Sequence, residues 1–168
     1  QMGELNSCDI SSRNVKNAAI NKWSIVISNF CSNDVVKNHV ENYISNSPLN
    51  KKEALKKIKL ARFIFVSNKK EFIKNLFKKN SPHMGVLKTI HTKLKHYNRI
   101  DCFGNDKNLE LNLLAKKLFI FGSQKEVSEK IKDLRNKVGK VDTVIYTHVP
   151  MVKNNIFNNS LKLFSKCN

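Results

Sequence analysis

Glycine and proline are scarce, with five and three residues in a chain of 168. An all-β chain of this length needs many tight turns, so the shortage points away from that class. No apolar run approaches the ~20 residues that a membrane-spanning helix needs, and no membrane partner is expected. The start of the chain has neither a basic segment nor an apolar signal core, so a cytoplasmic protein is expected rather than a secreted one. Four cysteines (Cys8, Cys31, Cys102 and Cys167) lie far apart with no Cys-x-x-Cys pair. Neither a zinc site nor a disulfide framework is indicated. Walker-type loops, a Gly-x-Gly-x-x-Gly turn and a nucleophile triad are missing as well.

Acids are the remaining scarcity. Lys and Arg total 31 against 13 Asp and Glu, a net charge of +18. A field of that sign draws phosphates and anionic surfaces. Only Arg13, Arg62, Arg99 and Arg135 are arginines, the residue that reads bases and phosphates in bidentate fashion. The lysines fall in pairs along the whole chain, as in Lys51-Lys52, Lys69-Lys70 and Lys116-Lys117, amid abundant Asn and Ile. An AT-rich coding sequence produces that joint bias. Most of the charge therefore reads as solvated lysine faces, and nucleic acid is not expected as a partner. A basic module that binds polyanions remains the alternative from a different functional class. The chain opens Gln1-Met2, so residue 1 is not an initiator methionine, and the expectation is either that something has been removed or that the sequence is the tail of a longer one.

What is present is an alternation of short apolar runs with amphipathic stretches. Strands are expected at the end of Met2 to Cys8, at Ser24 to Ser28, at Ile58 to Val66, at Leu118 to Phe121 and at Val141 to Tyr146. Helices are expected over 13–22, from Asn33 or Asp34 onward, and from a cap at Ser67 or Asn68 through Phe77. Further helices are expected over Val86 to Tyr97, Leu109 to Leu118, and Asn154 to Phe164. Pro48 and Asn50 mark a turn, and Ser123 with Glu126 has capping-box spacing ahead of a helix that Gly139 ends. Such an order means a parallel sheet covered by helices. An eight-unit barrel takes about 250 residues, so this chain holds about four parallel strands and a helical insertion over 80–117. An open sheet of flavodoxin-like style is the other architecture such a chain could adopt unaided.

Ser11-Ser12-Arg13-Asn14 lies between a strand end and a helix start, where free amides and the helix dipole favour an anion. Simple capping by Ser11 or Ser12 is the competing explanation. His39, His83, His91, His96 and His148 form no ligand or catalytic spacing, although His148 follows a strand and could border a site. Trp23, the only tryptophan, precedes a strand and is expected to pack in the core.

Three segments together carry a family resemblance. They are FGSQKEVSEKIKDLRNKVGKVDTVIYTHV followed by NNSLKLF, the strand Arg62-Phe63-Ile64-Phe65-Val66, and SSRNVKNAAINKWSIVIS. In order and spacing the chain resembles the C-terminal half of the luciferase-like flavin-dependent monooxygenases, the bacterial luciferase and alkanal monooxygenase superfamily. The resemblance runs over most of residues 8–166 and implies one domain over 1–168, the C-terminal half of a (β/α)8 TIM barrel. It implies reduced FMN as cofactor, with oxygen and an aldehyde, alkane or similar organic molecule as substrates. The flavin carries the hard chemistry in such proteins, and the protein supplies position and hydrogen bonds. The family's phosphate-contacting turn falls on Ser11, Ser12 and Asn14, with Asn14 standing where a hydroxyl is common. Ser28 and Asn29 end the next strand, on the face where the flavin ring would lie, and Gln124 stands where a proline is frequent. The family's proton-handling histidine and a phosphate-binding arginine belong to the other half of the barrel. The resemblance thus implies a partial chain that is inactive alone and associates with a missing N-terminal half or with itself. A non-catalytic half-barrel that binds flavin or a partner is the alternative within the same fold.

Overall fold

The computed structural model describes residues 6–7, 12–78, 80–92, 111–147 and 153–167. Five strands form one sheet: β1 (Asn6–Ser7), β2 (Ile25–Ile27), β3 (Ile58–Val66), β4 (Phe119–Gly122) and β5 (Thr143–Thr147). Every pairing among them is parallel. β3 is the organising strand. Its first three residues pair with β2, its middle with β5, and Phe63 to Val66 with β4. All five expected strand segments are in this sheet, β4 among them, where the length argument allowed about four units.

Helix α1 (Ser12–Ile20) buries Val15, Ala18 and Ala19, a one-sided stripe at helical spacing. It closes with Lys22 at φ 58° and Trp23 N–H donating to the Ala18 carbonyl at 2.9 Å. Helix α2 (Asn33–Asn46) is capped by Ser32, whose Oγ accepts from Val35 N–H at 3.4 Å. Helix α3 (Lys51–Lys57) corrects the expectation of a plain turn after Pro48. The Asn50 side chain accepts from Glu53 N–H at 3.0 Å and starts a helix that runs directly into β3. Helix α4 (Lys70–Leu76) has Lys69 at its N-cap without a side-chain bond, so neither Ser67 nor Asn68 caps it. Ser67 instead accepts from Lys69 N–H at 3.1 Å and shapes the loop ahead of the helix.

Helix α5 (Pro82–Thr92) begins four residues before the expected Val86, because Pro82 suits a first helical turn. The rest of that expected helix, and the first two residues of the one expected from Leu109, lie outside the described residues. Helix α6 (Leu111–Leu118) leads straight into β4. Helix α7 (Gln124–Lys137) carries the anticipated capping box. Ser123 N–H and Oγ both donate to Glu126 Oε2, at 2.7 and 2.8 Å, and Glu126 N–H returns to Ser123 Oγ at 3.4 Å. Gly139 at φ +99° and a bond from Lys140 N–H to the Arg135 carbonyl close the helix in a Schellman turn. Helix α8 (Asn154–Phe164) completes the described elements.

Both faces of the sheet are covered, as a parallel sheet requires. Ile25, Ile27, Ile58, Leu60, Ile64 and Val66 share the main core with residues of α1, α2 and α7. The intervening residues of β3 point the other way, where Phe63 and Phe65 join Phe121 and Leu76. That second face is aromatic. Phe63 meets Phe30 and Phe119 edge-on at 5.3 and 5.2 Å, and Phe121 lies 5.4 Å from Phe77. Met84, Leu87, Leu114 and Leu118 extend it into a smaller cluster between α5 and α6. Trp23 does not join either core. Its side chain is 42% exposed, and it is the Trp23 carbonyl that is held, by Tyr43 Oη at 2.7 Å. Tyr43 itself is fully buried in the main core, so the expectation that Trp23 packs there is corrected.

Candidate functional site

Parallel strands bring all their C-terminal ends, and the loops that follow them, to one edge of the sheet. The residues after β2 and the last residue of β5 meet there. Ser28 Oγ donates to Asn29 Oδ1 at 3.3 Å and accepts from Phe30 N–H at 3.3 Å. Asn29 Nδ2 reaches Thr147 Oγ1 at 3.4 Å, tying the β2 end to the β5 end. Beneath them lies Arg62, whose Nη1 donates to the Ser28 and Ala61 carbonyls at 3.3 and 3.0 Å. Its Nη2 donates to Asn33 Oδ1 at 3.3 Å.

Arg62 is 1% exposed, and none of its hydrogen-bond acceptors is a carboxylate. Burial pushes the guanidinium down to about 10, and the Cys31 thiol opposes that shift. The group therefore stays cationic at neutral pH inside a strand whose one other charged residue is Lys59. A buried cation held only by neutral acceptors favours an anion nearby. A lone arginine within IKLARFIFV was the available sequence signal for this position, and sequence reasoning assigned it no site role.

The expected phosphate turn is only partly visible. Ser11 lies outside the described residues, and Ser12 is the first residue of α1, with its side chain not described. Asn14 is exposed in the first turn of α1. Because β1 pairs in parallel with β2, the start of α1 and Ser28 lie toward the same end of the sheet. Donors of the right type for a phosphate are thus on that side. A cleft of about 760 Å³ and a second hollow of about 440 Å³ open elsewhere, and neither is lined by Asn14 or Ser28. Of the three residues of that turn only the Asn14 side chain is described, an amide donor of a type that suits a phosphate, and no ring-sized hollow among these two adjoins it.

The larger cleft follows β4. All four residues of that strand line it, together with Lys70 and Lys74 of α4, Lys116 and Lys117 of α6, and Lys130 and Lys137 of α7. Arg62 and Asn33 also line it. Seven cationic side chains face two acids, Glu126 and Asp133. Glu126 is held below the ordinary carboxylate range, first by the Ser123 backbone N–H and then by the Ser123 hydroxyl. All six of these lysines are exposed, and they gather along this one cleft. The smaller hollow sits after β3, between Phe72 of α4 and Asn155 and Asn159 of α8.

Among the histidines, His39 is buried on α2 and its Nε2 has no hydrogen-bond partner. Desolvation lowers its pKa. His83 is buried on α5, and His96 and His148 lie outside the described residues, as does the side chain of His91. Among the described residues no cluster of three or more His, Cys, Asp or Glu could hold a metal ion. Nor is any described helix long and apolar enough to cross a membrane.

No family sequence model matches the chain, and no curated protein sequence matches it. Solved structures do. The chain is similar in fold to a type II Baeyer-Villiger monooxygenase, the oxygenating constituent of 3,6-diketocamphane monooxygenase from the CAM plasmid of Pseudomonas putida, in complex with FMN. The TM-score is 0.66 at 21% sequence identity, over 91% of this chain and 44% of that one. The chain thus spans less than half the length of that protein. The likeness shows a mixed α/β fold with a parallel sheet, consistent with part of a TIM-barrel-like architecture.

Proposed function

We propose that the chain is the C-terminal half of a luciferase-like flavin-dependent monooxygenase barrel, contributing part of an FMN site and inactive by itself. The observation that carries this reading is the match in fold to an FMN-bound monooxygenase over nearly the whole of this chain. The sequence resemblance, reached independently from motif order, points the same way. FMN, when bound, would supply the oxygen chemistry toward an organic substrate.

The chain's own residues have a limited part in it. The α1 N-terminus, with Ser11, Ser12 and Asn14, offers hydroxyl and amide donors at a helix end that favours a phosphate. Ser28 and Asn29 border the ring side, with the Asn29 amide steadied by Thr147. Arg62 fixes the Ser28 carbonyl from below and so holds the strand end in place. No general acid or base is assigned, since neither described buried histidine, His39 or His83, lies in the Ser28–Arg62 hydrogen-bond network. Substrate, and the choice between FMN and a deazaflavin, rest with the loops of the whole barrel.

Flavin fluorescence and equilibrium dialysis with FMN test the reading. The expected result is measurable FMN binding that the pair Ser12→Ala and Asn14→Ala weakens about tenfold or more, the scale of one or two charge-assisted hydrogen bonds. Unchanged affinity in the double variant removes the phosphate assignment. Steady oxygen consumption by the isolated chain with reduced FMN would contradict the claim that it is inactive alone.

A further inference from the structure

The cleft along β4 is not part of the flavin reading, and its shape identifies a ligand class. Successive residues of a strand point to opposite faces. A hollow lined by Phe119, Ile120, Phe121 and Gly122 together must therefore run along the edge of the strand. Among the described strands β4 pairs with β3 alone, so its other edge has no strand against it. Phe121 shows the consequence. Its carbonyl accepts from the Lys130 ammonium at 2.6 Å. A lysine laid on an edge is a usual guard against unwanted strand addition.

The walls are helical. Glu126, Lys130, Asp133, Leu134 and Lys137 make one stripe along α7. Lys70, Ile73, Lys74 and Phe77 make another on and just past α4. The strand offers about 13 Å of edge at 3.3 Å per residue, and the α7 stripe runs about 16 Å at 1.5 Å per residue. The space fits one extended segment of four or five residues, and its apolar lining of Ile73, Leu118 and Leu134 suits alternate apolar side chains. The cationic walls require those that remain to be acidic.

We propose that this cleft binds an extended acidic peptide segment, which adds as a parallel or antiparallel strand to the edge of β4 that no described strand pairs. Carboxylates of the segment pair with Lys70, Lys74 and Lys116 on one side and Lys137 on the other. Lys130 exchanges the Phe121 carbonyl for a peptide carboxylate as the peptide N–H takes its place. Arg62, buried without an acidic partner at one end of the cleft, draws a further carboxylate. A peptide is favoured over a nucleic acid because the part-buried Phe77 and Phe119 are packed against Phe121 and Phe63, which leaves little ring face on which bases could stack. Arginine, the commoner base reader, supplies one of the seven cations.

The test is fluorescence anisotropy of the full chain with a labelled heptapeptide of alternating glutamate and valine. The comparison ligands are the same peptide N-methylated at alternate residues and a twelve-nucleotide oligothymidylate. Lys70→Glu with Lys74→Glu is the protein variant, both positions being exposed on α4, with circular dichroism as the check on folding. We expect the parent peptide to bind, the double variant to lose about tenfold in affinity or more, and the methylated peptide not to bind. Equal binding of the methylated peptide overturns strand addition. Unchanged affinity in the variant overturns the location, and tighter binding of the oligonucleotide overturns the ligand class.

Discussion

Arg62 Nη2 donates to Asn33 Oδ1 at 3.3 Å, joining the middle of β3 to the first residue of α2. The same guanidinium holds the Ser28 carbonyl through Nη1. One buried cation thereby fastens the end of β2, the start of α2 and its own strand, and it borders the cationic cleft. The contact explains how a charge is accommodated at a fully buried position of β3.

Arg62→Lys should destabilise the protein by about 1.5–3 kcal/mol, the range for hydrogen bonds to a charged group. An ammonium lacks the planar fork that reaches Ser28, Ala61 and Asn33 together. A urea unfolding curve reads the loss as a lower midpoint at constant slope. An unchanged midpoint would mean the three acceptors find other partners.

Ser160 accepts from Val66 N–H at 2.8 Å and lies 3.1 Å from Tyr146 Oη. Replacing it by alanine strands a buried amide at the end of β3, at a cost of about 1–3 kcal/mol. Tyr146→Phe removes only the partner of a hydroxyl and should cost less. Thermal melts of the two variants rank them, and the reverse order would show that the tyrosine is the principal partner.

Gly122 has no room for a side chain. A Cβ there would stand 2.8 Å from Glu126 Cβ and 2.9 Å from its Oε2. Gly122→Ala should therefore push Glu126 out of the capping box and remove about 1 kcal/mol of cap stability. Amide exchange at the first turn of α7 should accelerate, while exchange in the middle of the helix stays nearly the same.

His39 is buried and its pKa is lowered by desolvation. The unfolded chain then binds a proton that the folded one refuses, beginning near pH 6.5. Its contribution is complete above that value and is lost progressively as the pH falls toward the lowered folded pKa. The unfolding free energy of the native protein should fall faster between pH 7 and pH 5 than that of His39→Gln. Parallel curves would place the acid sensitivity elsewhere.

Local rules made much of this architecture readable. Ser123, Glu126 and Gly139 marked both ends of α7 because caps act within a few residues. The long apolar run of β3 declared a strand buried on both faces. α3 was missed because Pro48 signals a turn while Asn50, two residues on, caps a helix. Trp23 is half-exposed where core packing was expected, because the size of a side chain does not fix which way the turn after α1 directs it.

The sequence by itself determined the alternation of elements, the helix ends and the excess of positive charge. Those follow from periodicity, capping and composition, whose physical range is a turn or two of chain. Only the tertiary structure decided which strands meet β3, why Arg62 is enclosed without an acid, and how lysines from α4, α6 and α7 come to face one strand edge. Those residues are separated by tens of positions, and packing between distant segments brings them together.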